Sequence, residues 1–456
     1  MGTVLFVLPV ISRIREGGRI EMKRLVFVLL GVALVMPVWA QDEPVSAEEA
    51  GLVPVTETTY INDWPPDGDP RNNGNTESLG VGIADNGNII VGWEDDGDDI
   101  YDYEAVWVLF DADGTPIIET PQSYFNSDGE PTSPQHAWGP KIKANLFGSG
   151  MGMGATAFSL ALDIPEFFDV NTIGGDPDWA EDYPAVQLLN NAGEPLGLPV
   201  LGISDEFAEH EGDVRIADWN YLSNGNIVIA GESRQEFDLI DEFGGDAPGR
   251  HPIFRIVAPD GTEVVPETLI SEVPVSGEMW HGIASIADGF AARWRSEGRA
   301  TVRLFNNDGT PKTGNIDLGD LTEFEGASGG GRGDGAGFHG NGIDTYVVTN
   351  AQDADDFPGE EVYLTALNAD GSLKWATIAS DDFEYVNADR VDCAVNEAGD
   401  VIAVWADDSV VAQGIRIVQA RVFDAEGTPV TGTFYVSEKE TPDIAVGAAR
   451  RPRAFW

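Results

Sequence analysis

Three of the five histidines fall in segments that join predicted strands, where they could take part in catalysis. These are His136, His210 and His281, and beside a Tyr or Asp partner each could act as a general acid or base on a polysaccharide. The sequence contains neither an HExxH motif nor a phosphate-binding GxxxxGK[ST] loop. The alternative is that these histidines are exposed or hydrogen-bonded loop residues without a catalytic role.

Acidic residues are concentrated in several connections, among them residues 94–104, 176–182, 236–246 and 353–361. Hard cations such as Ca²⁺ take six to eight oxygen ligands, which closely spaced Asp side chains can supply. The candidate metal ligands form two groups: Asp95, Asp96, Asp98 and Asp99, then Asp353, Asp355 and Asp356. Neither keeps the twelve-residue calcium-loop spacing, so the alternative is that these are solvated loops.

The tryptophans divide into two classes by position. Trp93, Trp294 and Trp405 recur at the end of similar strands, which predicts packing between repeats. Four others lie in or beside variable connections and are candidates for stacking on a sugar ring: Trp138, Trp179, Trp219 and Trp280. Cys393, the only cysteine, excludes an intramolecular disulfide and is expected to be a small buried residue in an apolar strand.

The elements that position these residues are predicted by a repeated turn. Turns in which an Asp or Asn lies one to three residues before a glycine follow alternating apolar strands, and their glycines are Gly114, Gly193, Gly261, Gly309, Gly371 and Gly427. A second hairpin precedes several of them, so each unit contains four antiparallel strands. The sequence therefore predicts an all-β fold, a β-propeller with six complete repeats in residues 79–437. The 54 Gly, 27 Pro and 12 Trp agree with many short strands.

The two ends of the chain leave the number of blades open. Residues 50–60, within the N-terminal segment 41–78, resemble an outer strand. Residues 443–446 and 453–456, within the C-terminal segment 438–456, resemble inner strands. One hypothesis joins them in a composite seventh blade that closes the ring and hides both sheet edges. The other is a six-bladed ring with short flanking tails.

The last unit resembles a known class of protein. Residues 400–405, 417–430 and 434–436 are similar to the repeat of secreted bacterial β-propeller-type proteins, and residues 85–118 match it more loosely. Most members of that class have no assigned activity. The resemblance therefore implies fold and export, and little about chemistry.

The first 40 residues predict export. Residues 22–24 are a short basic region, residues 25–35 are apolar, and Ala40 precedes a cleavage site. Translation from Met22 would fit this pattern, and an uncleaved membrane anchor is the alternative. Removing residues 1–40 changes the formal charge from -52 to about -55. We expect no membrane span after cleavage, and secretion to the periplasm, the medium or the cell surface.

The strongly negative net charge argues against nucleic acid as a partner. With 26 Lys+Arg against 78 Asp+Glu, the chain lacks the basic face that nucleic-acid binding requires. The main prediction is an exported, monomeric, non-enzymatic binding or cell-surface scaffold, whose acidic loops bind Ca²⁺, a cationic protein or a carbohydrate. The alternative is a propeller enzyme, a polysaccharide lyase or glycosidase, with a site near the central axis.

Residues 326–342 form a glycine-rich segment that enters a predicted inner strand. Close packing near the crowded axis explains so many glycines, because only glycine lets two backbones approach without a side chain between them. A mobile lid is the alternative.

Overall fold

The computed structural model is all-β, and six four-stranded antiparallel sheets in it are arranged as a six-bladed β-propeller. This confirms the predicted fold class and the six-bladed alternative. The structure describes residues 4–16, 19–31, 45–46, 52–54, 59–60, 76–95, 104–123, 137–158, 182–197, 200–202, 214–233, 251–272, 277–278, 282–296, 299–321, 337–352, 360–380, 388–407 and 417–436. Within these ranges the one α-helix is short, Leu318–Leu321.

Blades 1 to 3 each follow the order of the chain, so that every strand pairs with the next. The strands of blade 1 are Thr76–Ile83, Ile89–Asp95, Glu104–Phe110 and Pro116–Ser123. Those of blade 2 are Ala137–Ala144, Met151–Phe158, Asp182–Leu189 and Val200–Leu201. Those of blade 3 are Val214–Tyr221, Ile227–Ser233, His251–Val257 and Glu263–Leu269.

Blades 4 to 6 keep the same order, although the first strand of blade 4 is interrupted. The strands of blade 4 are Gly277–Glu278 with Ile283–Ile286, then Gly289–Ser296, Arg299–Asn306 and Ile316–Asp317. Those of blade 5 are Phe338–Gly340, Thr345–Gln352, Glu360–Leu367 and Leu373–Ile378. Those of blade 6 are Ala388–Val395, Val401–Asp407, Ile417–Phe423 and Phe434–Tyr435.

The chain forms two compact units. One comprises residues 63–297 and 303–315, and it holds blades 1 to 3 with most of blade 4. The other comprises residues 1–62, 298–302 and 316–456, and it holds blades 5 and 6. The contacts below all lie within one unit or the other.

The predicted turn glycines explain how the third strand of each blade reverses into the fourth. All six have a positive φ, between 78° and 84°, a region that non-glycine residues rarely adopt. In blade 1 the Asp111 carboxylate holds the turn, because its Oδ1 accepts hydrogen bonds from Asp113 N at 3.0 Å and Thr115 N at 2.8 Å. In blade 4 the hydrogen bonds from Thr310 lower the pKa of Asp308.

Two of the recurrent tryptophans, Trp294 and Trp405, pack between blades as predicted, and Trp93 is likewise buried. Trp93, Trp294 and Trp405 lie on second strands and are at most 2% exposed. The Trp405 ring belongs to a core cluster with Leu364 of blade 5, and its Nε1 donates to Gln419 Oε1 at 3.0 Å. Neighbouring blades are thus joined mainly by apolar surface that each removes from water.

Two arginines on third strands add hydrogen bonds between blades. Arg303 donates to Thr313 O at 3.1 Å and to Ile270 O, just after the last strand of blade 3, at 3.0 Å. Arg421 makes the equivalent bonds, to Thr431 O at 3.3 Å and to Ala379 O at 3.4 Å. Both guanidinium groups are therefore committed to carbonyl oxygens of the protein.

Among the residues that the structure describes, the N-terminal strands form no composite seventh blade. Val45–Ser46 pairs in parallel with Phe434–Tyr435 and becomes a fifth strand on blade 6. Leu52–Pro54 and Thr59–Tyr60, expected to meet C-terminal strands, pair instead with Arg19–Gly31. Arg19–Gly31 also forms a hairpin with Val4–Glu16. The predicted C-terminal strands, residues 443–446 and 453–456, lie outside the described residues, and export through residues 1–40 stays a prediction.

Candidate active site

Most residues that the sequence singles out for chemistry lie outside the described residues. These are His136, His210, His281, Asp96, Asp98, Asp99, Asp353, Asp355, Asp356, Trp179 and Trp280. The backbones of Asp95 and Trp138 lie in strands, but the structure does not describe their side chains. Within the described ranges, no group of three or more His, Cys, Asp or Glu could hold a metal ion. The Ca²⁺ and histidine sites stay predictions.

Trp219 is the exception, and its predicted role in sugar stacking is wrong. It lies in the first strand of blade 3 and is 0% exposed. Its Nε1 donates to Lys141 O at 2.7 Å, and its ring meets that of Tyr221 edge-on at 5.2 Å. A Cβ on Gly152 would lie 2.6 Å from the indole, so Gly152 makes room for the ring. Trp219 therefore joins blades 2 and 3.

We expect Trp219→Ala to lower the free energy of unfolding by about 3–5 kcal/mol, because it leaves a large cavity between the blades. Trp219→Phe keeps most of the ring, and we expect a loss of about 1–3 kcal/mol from the unpaired Lys141 carbonyl. Chemical denaturation of the purified variants measures both. Wild-type stability in Trp219→Ala would contradict this structural role.

Asp218, the neighbour of Trp219, forms a buried ion pair with blade 2. Lys143 Nζ lies 3.0 Å from Asp218 Oδ2, and the two side chains are 15% and 7% exposed. Asp218 also accepts hydrogen bonds from Trp219 N at 2.9 Å and Ile283 N at 3.0 Å. The carboxylate therefore links the first strands of blades 2, 3 and 4, and no oxygen of it is left without a partner.

A second pair of this type is open to solvent. His339 lies in the first strand of blade 5 and Asp392 in the first strand of blade 6, with Nε2 3.4 Å from Oδ1. Their side chains are 37% and 45% exposed. Both residues lie on first strands, and both side chains are open to solvent. His339 and Asp392 are the candidate active site.

Asp218 and Asp392 occupy equivalent positions, which makes their difference informative. Each precedes a positive-φ turn glycine by seven residues, Gly225 or Gly399. Each also accepts a hydrogen bond from the next backbone N–H, of Trp219 at 2.9 Å or Cys393 at 2.8 Å. The fold therefore fixes both carboxylates in the same way. In blade 3 the carboxylate is buried against Lys143, whereas in blade 6 it is exposed beside a group that can transfer protons.

Gly337 explains why the chain approaches Asp392 so closely. A Cβ at this position would collide with Asp392 Oδ1 and with the backbone nitrogen of Cys393. Close packing, one of the two explanations for the glycine-rich segment, is thus confirmed at Gly337. Residues 322–336 lie outside the described residues. The contact limits the positions that the Asp392 carboxylate can take.

Tyr346 and Cys393 support the site from behind. Tyr346 is directly opposite His339 in the sheet, and it is 0% exposed. Burial raises the pKa of its phenol, so this hydroxyl stays protonated. Cys393 is 3% exposed, as predicted for a small core residue, and its Sγ lies 3.9 Å from Tyr346 O. Tyr346 and Cys393 are therefore core residues, and the exposed groups beside them are His339 and Asp392.

The comparisons with known proteins identify the fold only. No family model matches the chain, and no curated protein matches it. Similar solved structures include a Hadza microbial sialidase, with 9% identity, TM-score 0.44, and coverage of 79% of this chain and 66% of that one. An α-L-arabinofuranosidase from Fusarium graminearum has 11% identity, TM-score 0.45, and coverage of 80% and 95%. The polysaccharide lyase Uly1 has 13% identity, TM-score 0.40, and coverage of 64% and 58%.

The chain thus spans slightly less than two thirds of the sialidase and about three fifths of the lyase. The names of these three neighbours describe enzymes that act on carbohydrate, and none describes a binding scaffold. The prediction of a non-enzymatic scaffold is corrected on this finding. In the part of the chain that the structure describes, no helix is long and apolar enough to cross a membrane.

Proposed function

We propose that this protein is an exported enzyme that cleaves glycosidic bonds in a polysaccharide, with His339 as general acid–base. The observation that carries the proposal is the exposed His339–Asp392 pair, with 3.4 Å between Nε2 and Oδ1. Histidine is the commonest group for proton transfer near neutral pH, and a carboxylate partner is the usual means of orienting it. Catalytic hydrogen bonds often shorten only in the complex with substrate, so this distance is compatible with the role.

The geometry assigns a role to each group. The proposed mechanism places a proton on Nε2, which faces Asp392 Oδ1 at 3.4 Å, so that Nδ1 of the neutral imidazole is unprotonated. This nitrogen is the base that takes a proton from the attacking group, and the adjacent carboxylate stabilises the imidazolium that forms. Asp392 is a positioning residue, and its Oδ1 accepts a hydrogen bond from Cys393 N at 2.8 Å.

The test is cleavage of polysaccharides by the purified full chain. We expect new reducing ends from at least one polymer, at a turnover within the ordinary range of about 1–10³ per second. Size-exclusion chromatography of the polymer and a reducing-end assay measure this. Binding without any shortening of the polymer, across neutral, cationic and anionic polysaccharides, would contradict the proposal.

A further inference from the structure

The strand that carries His339 is short. Phe338–Gly340 has three residues, and among the described residues three pairs join it to the second strand of blade 5. Ala388–Val395, the first strand of blade 6, carries Asp392 and has eight residues and seven such pairs. A short strand with few ladder hydrogen bonds opens more readily than a long one. The position of His339 against Asp392 therefore depends on contacts beyond the strand itself.

The hairpin that follows His339 is closed by an ion pair. Asp344 lies in the turn between the first and second strands of blade 5, and its Oδ2 accepts a hydrogen bond from Lys374 Nζ, on the fourth strand, at 2.7 Å. The Asp344 and Lys374 side chains are 13% and 28% exposed. Asn341 Oδ1 holds the same turn, because it accepts hydrogen bonds from Ile343 N at 3.0 Å and Asp344 N at 2.8 Å. Lys374 thus ties the fourth strand to the hairpin that carries His339.

Lys374 also acts on the second strand, through Tyr346. Burial raises the pKa of the Tyr346 phenol, and the positive charge of Lys374 opposes this effect, so the two groups are close. Tyr346 is directly opposite His339, and the two residues of such a pair have β-carbons about 5 Å apart on one face of the sheet. A Cβ on Gly399, in the first turn of blade 6, would be 3.0 Å from the Tyr346 hydroxyl. The side chain opposite His339 is therefore confined by Lys374 and by the next blade.

Blade 4 carries the same arrangement. Lys312 lies three residues after Gly309, as Lys374 lies three residues after Gly371, and it forms an ion pair with Asp288 in the turn between the first and second strands. In blades 1, 2, 3 and 6 the position of this lysine is apolar, and its residues are Ile117, Leu196, Val264 and Val430. The first strands of those four blades have eight residues each, whereas the strand that enters the turn has four in blade 4 and three in blade 5. The lysine thus occurs where the first strand is short.

We infer that Lys374 and Asp344 are positioning residues of the candidate active site, and that their ion pair holds the hairpin that places His339 beside Asp392. The effect on catalysis rests on the proposed function, whereas the effect on the His339 ring does not. Neither Lys374 nor Asp344 transfers a proton in this role. They limit how far the first strand of blade 5 can move, and a displacement of about 1 Å can cost about 10²-fold in rate.

Kinetics and the spectrum of His339 test this role together. Lys374→Met removes the charge and keeps the length of the side chain. We expect it to lower kcat on the cleaved polymer by about 10- to 10²-fold. Little change in KM is expected, because the ion pair does not bind the polymer. In the ¹H–¹³C spectrum of histidine-labelled protein, assigned with His339→Gln, we expect the His339 ring signals to shift. Lys374→Arg keeps the charge and is expected to retain most of the wild-type kcat.

Lys312→Met is the matched control, because it removes the same kind of ion pair from blade 4. Asp288 is 72% exposed, so we expect a smaller decrease in the midpoint of urea denaturation than in Lys374→Met. The kcat and the His339 signals of this control are expected to match the wild type. If Lys374→Met does not fold, Asp344→Asn weakens the same ion pair, and the same two measurements apply to it.

The outcomes separate this role from the proposed function. A wild-type kcat or wild-type His339 signals in folded Lys374→Met would overturn the inference and leave the proposed enzyme standing. Equal losses of kcat in Lys374→Met and Lys312→Met would do the same, because they would show a general loss of stability. If the full chain cleaves no polymer, the proposed function fails, and the spectra alone decide whether Lys374 holds His339. Unshifted signals then overturn the inference, and shifted signals support it.

Discussion

His339→Gln is expected to lower kcat by about 10²- to 10⁴-fold, the usual contribution of a general acid–base. Glutamine has a similar length and can still donate a hydrogen bond to Asp392, but it cannot accept and release a proton. Because His339 is 37% exposed and outside the apolar core, we expect its loss to change the free energy of unfolding by no more than about 0.5 kcal/mol. Steady-state kinetics on the cleaved polymer and denaturation curves measure the two effects.

Two further variants distinguish catalysis from structure at this position. His339→Ala is expected to recover part of its activity when imidazole is added, since the small base can occupy the vacated space. Asp392→Asn is expected to lower kcat with little change in KM, because Asp392 orients His339 without binding the polymer. An unchanged kcat in His339→Gln, with wild-type stability, would contradict the assignment of His339.

The blades could be predicted from sequence because their determinants are local. An Asp-Gly turn needs only a positive φ at the glycine and a side-chain oxygen two to four residues earlier, and both are visible in the chain at Gly114 and Asp111. Alternating apolar residues then specify the strands on either side. The recurrence of Trp294 and Trp405 at one register similarly predicts burial between repeats, which the structure shows.

The candidate active site could not be predicted in the same way. His339 lies in a strand of only three residues, Phe338–Gly340, within the glycine-rich segment 326–342. Its partner Asp392 is 53 residues later and comes from the next blade. Their contact depends on the register between two sheets, which turn chemistry does not specify. The one signal in the sequence is the run of glycines that enters an inner strand, since it marks a close backbone approach.

Trp219 shows why the alternation of side chains along a strand does not predict burial beside a β-bulge. The register of its strand against the next shifts between Ile216 and Asp218, so the alternation of inward and outward side chains is broken there. The sequence places Trp219 near a connection, whereas the strand continues to Tyr221 and buries the ring. The same shift brings Asp218 to the position where it meets Lys143.

Asp218→Ala is expected to lower the free energy of unfolding by about 3–5 kcal/mol, the usual result of removing one partner from a buried ion pair. The loss leaves Lys143 without its carboxylate, at 15% exposure, and leaves Ile283 N–H without an acceptor. Both are costly because water cannot replace the missing oxygen. Urea denaturation, followed by tryptophan fluorescence and far-ultraviolet circular dichroism, measures the change.

Asp392→Ala is the matched control, because Asp392 occupies the equivalent position in blade 6 but is 45% exposed. This substitution is expected to lower the free energy of unfolding by no more than about 1 kcal/mol, as for other exposed ion pairs. The variant is also expected to lose activity. The folded fraction of Asp218→Ala is expected to keep wild-type kcat. If Asp218→Ala does not fold, Asp218→Asn keeps an acceptor oxygen, and a smaller loss of about 1–3 kcal/mol is expected. Equal stability losses in the two alanine variants would show that the two carboxylates have the same structural role, and that the exposed pair is not specialised for chemistry.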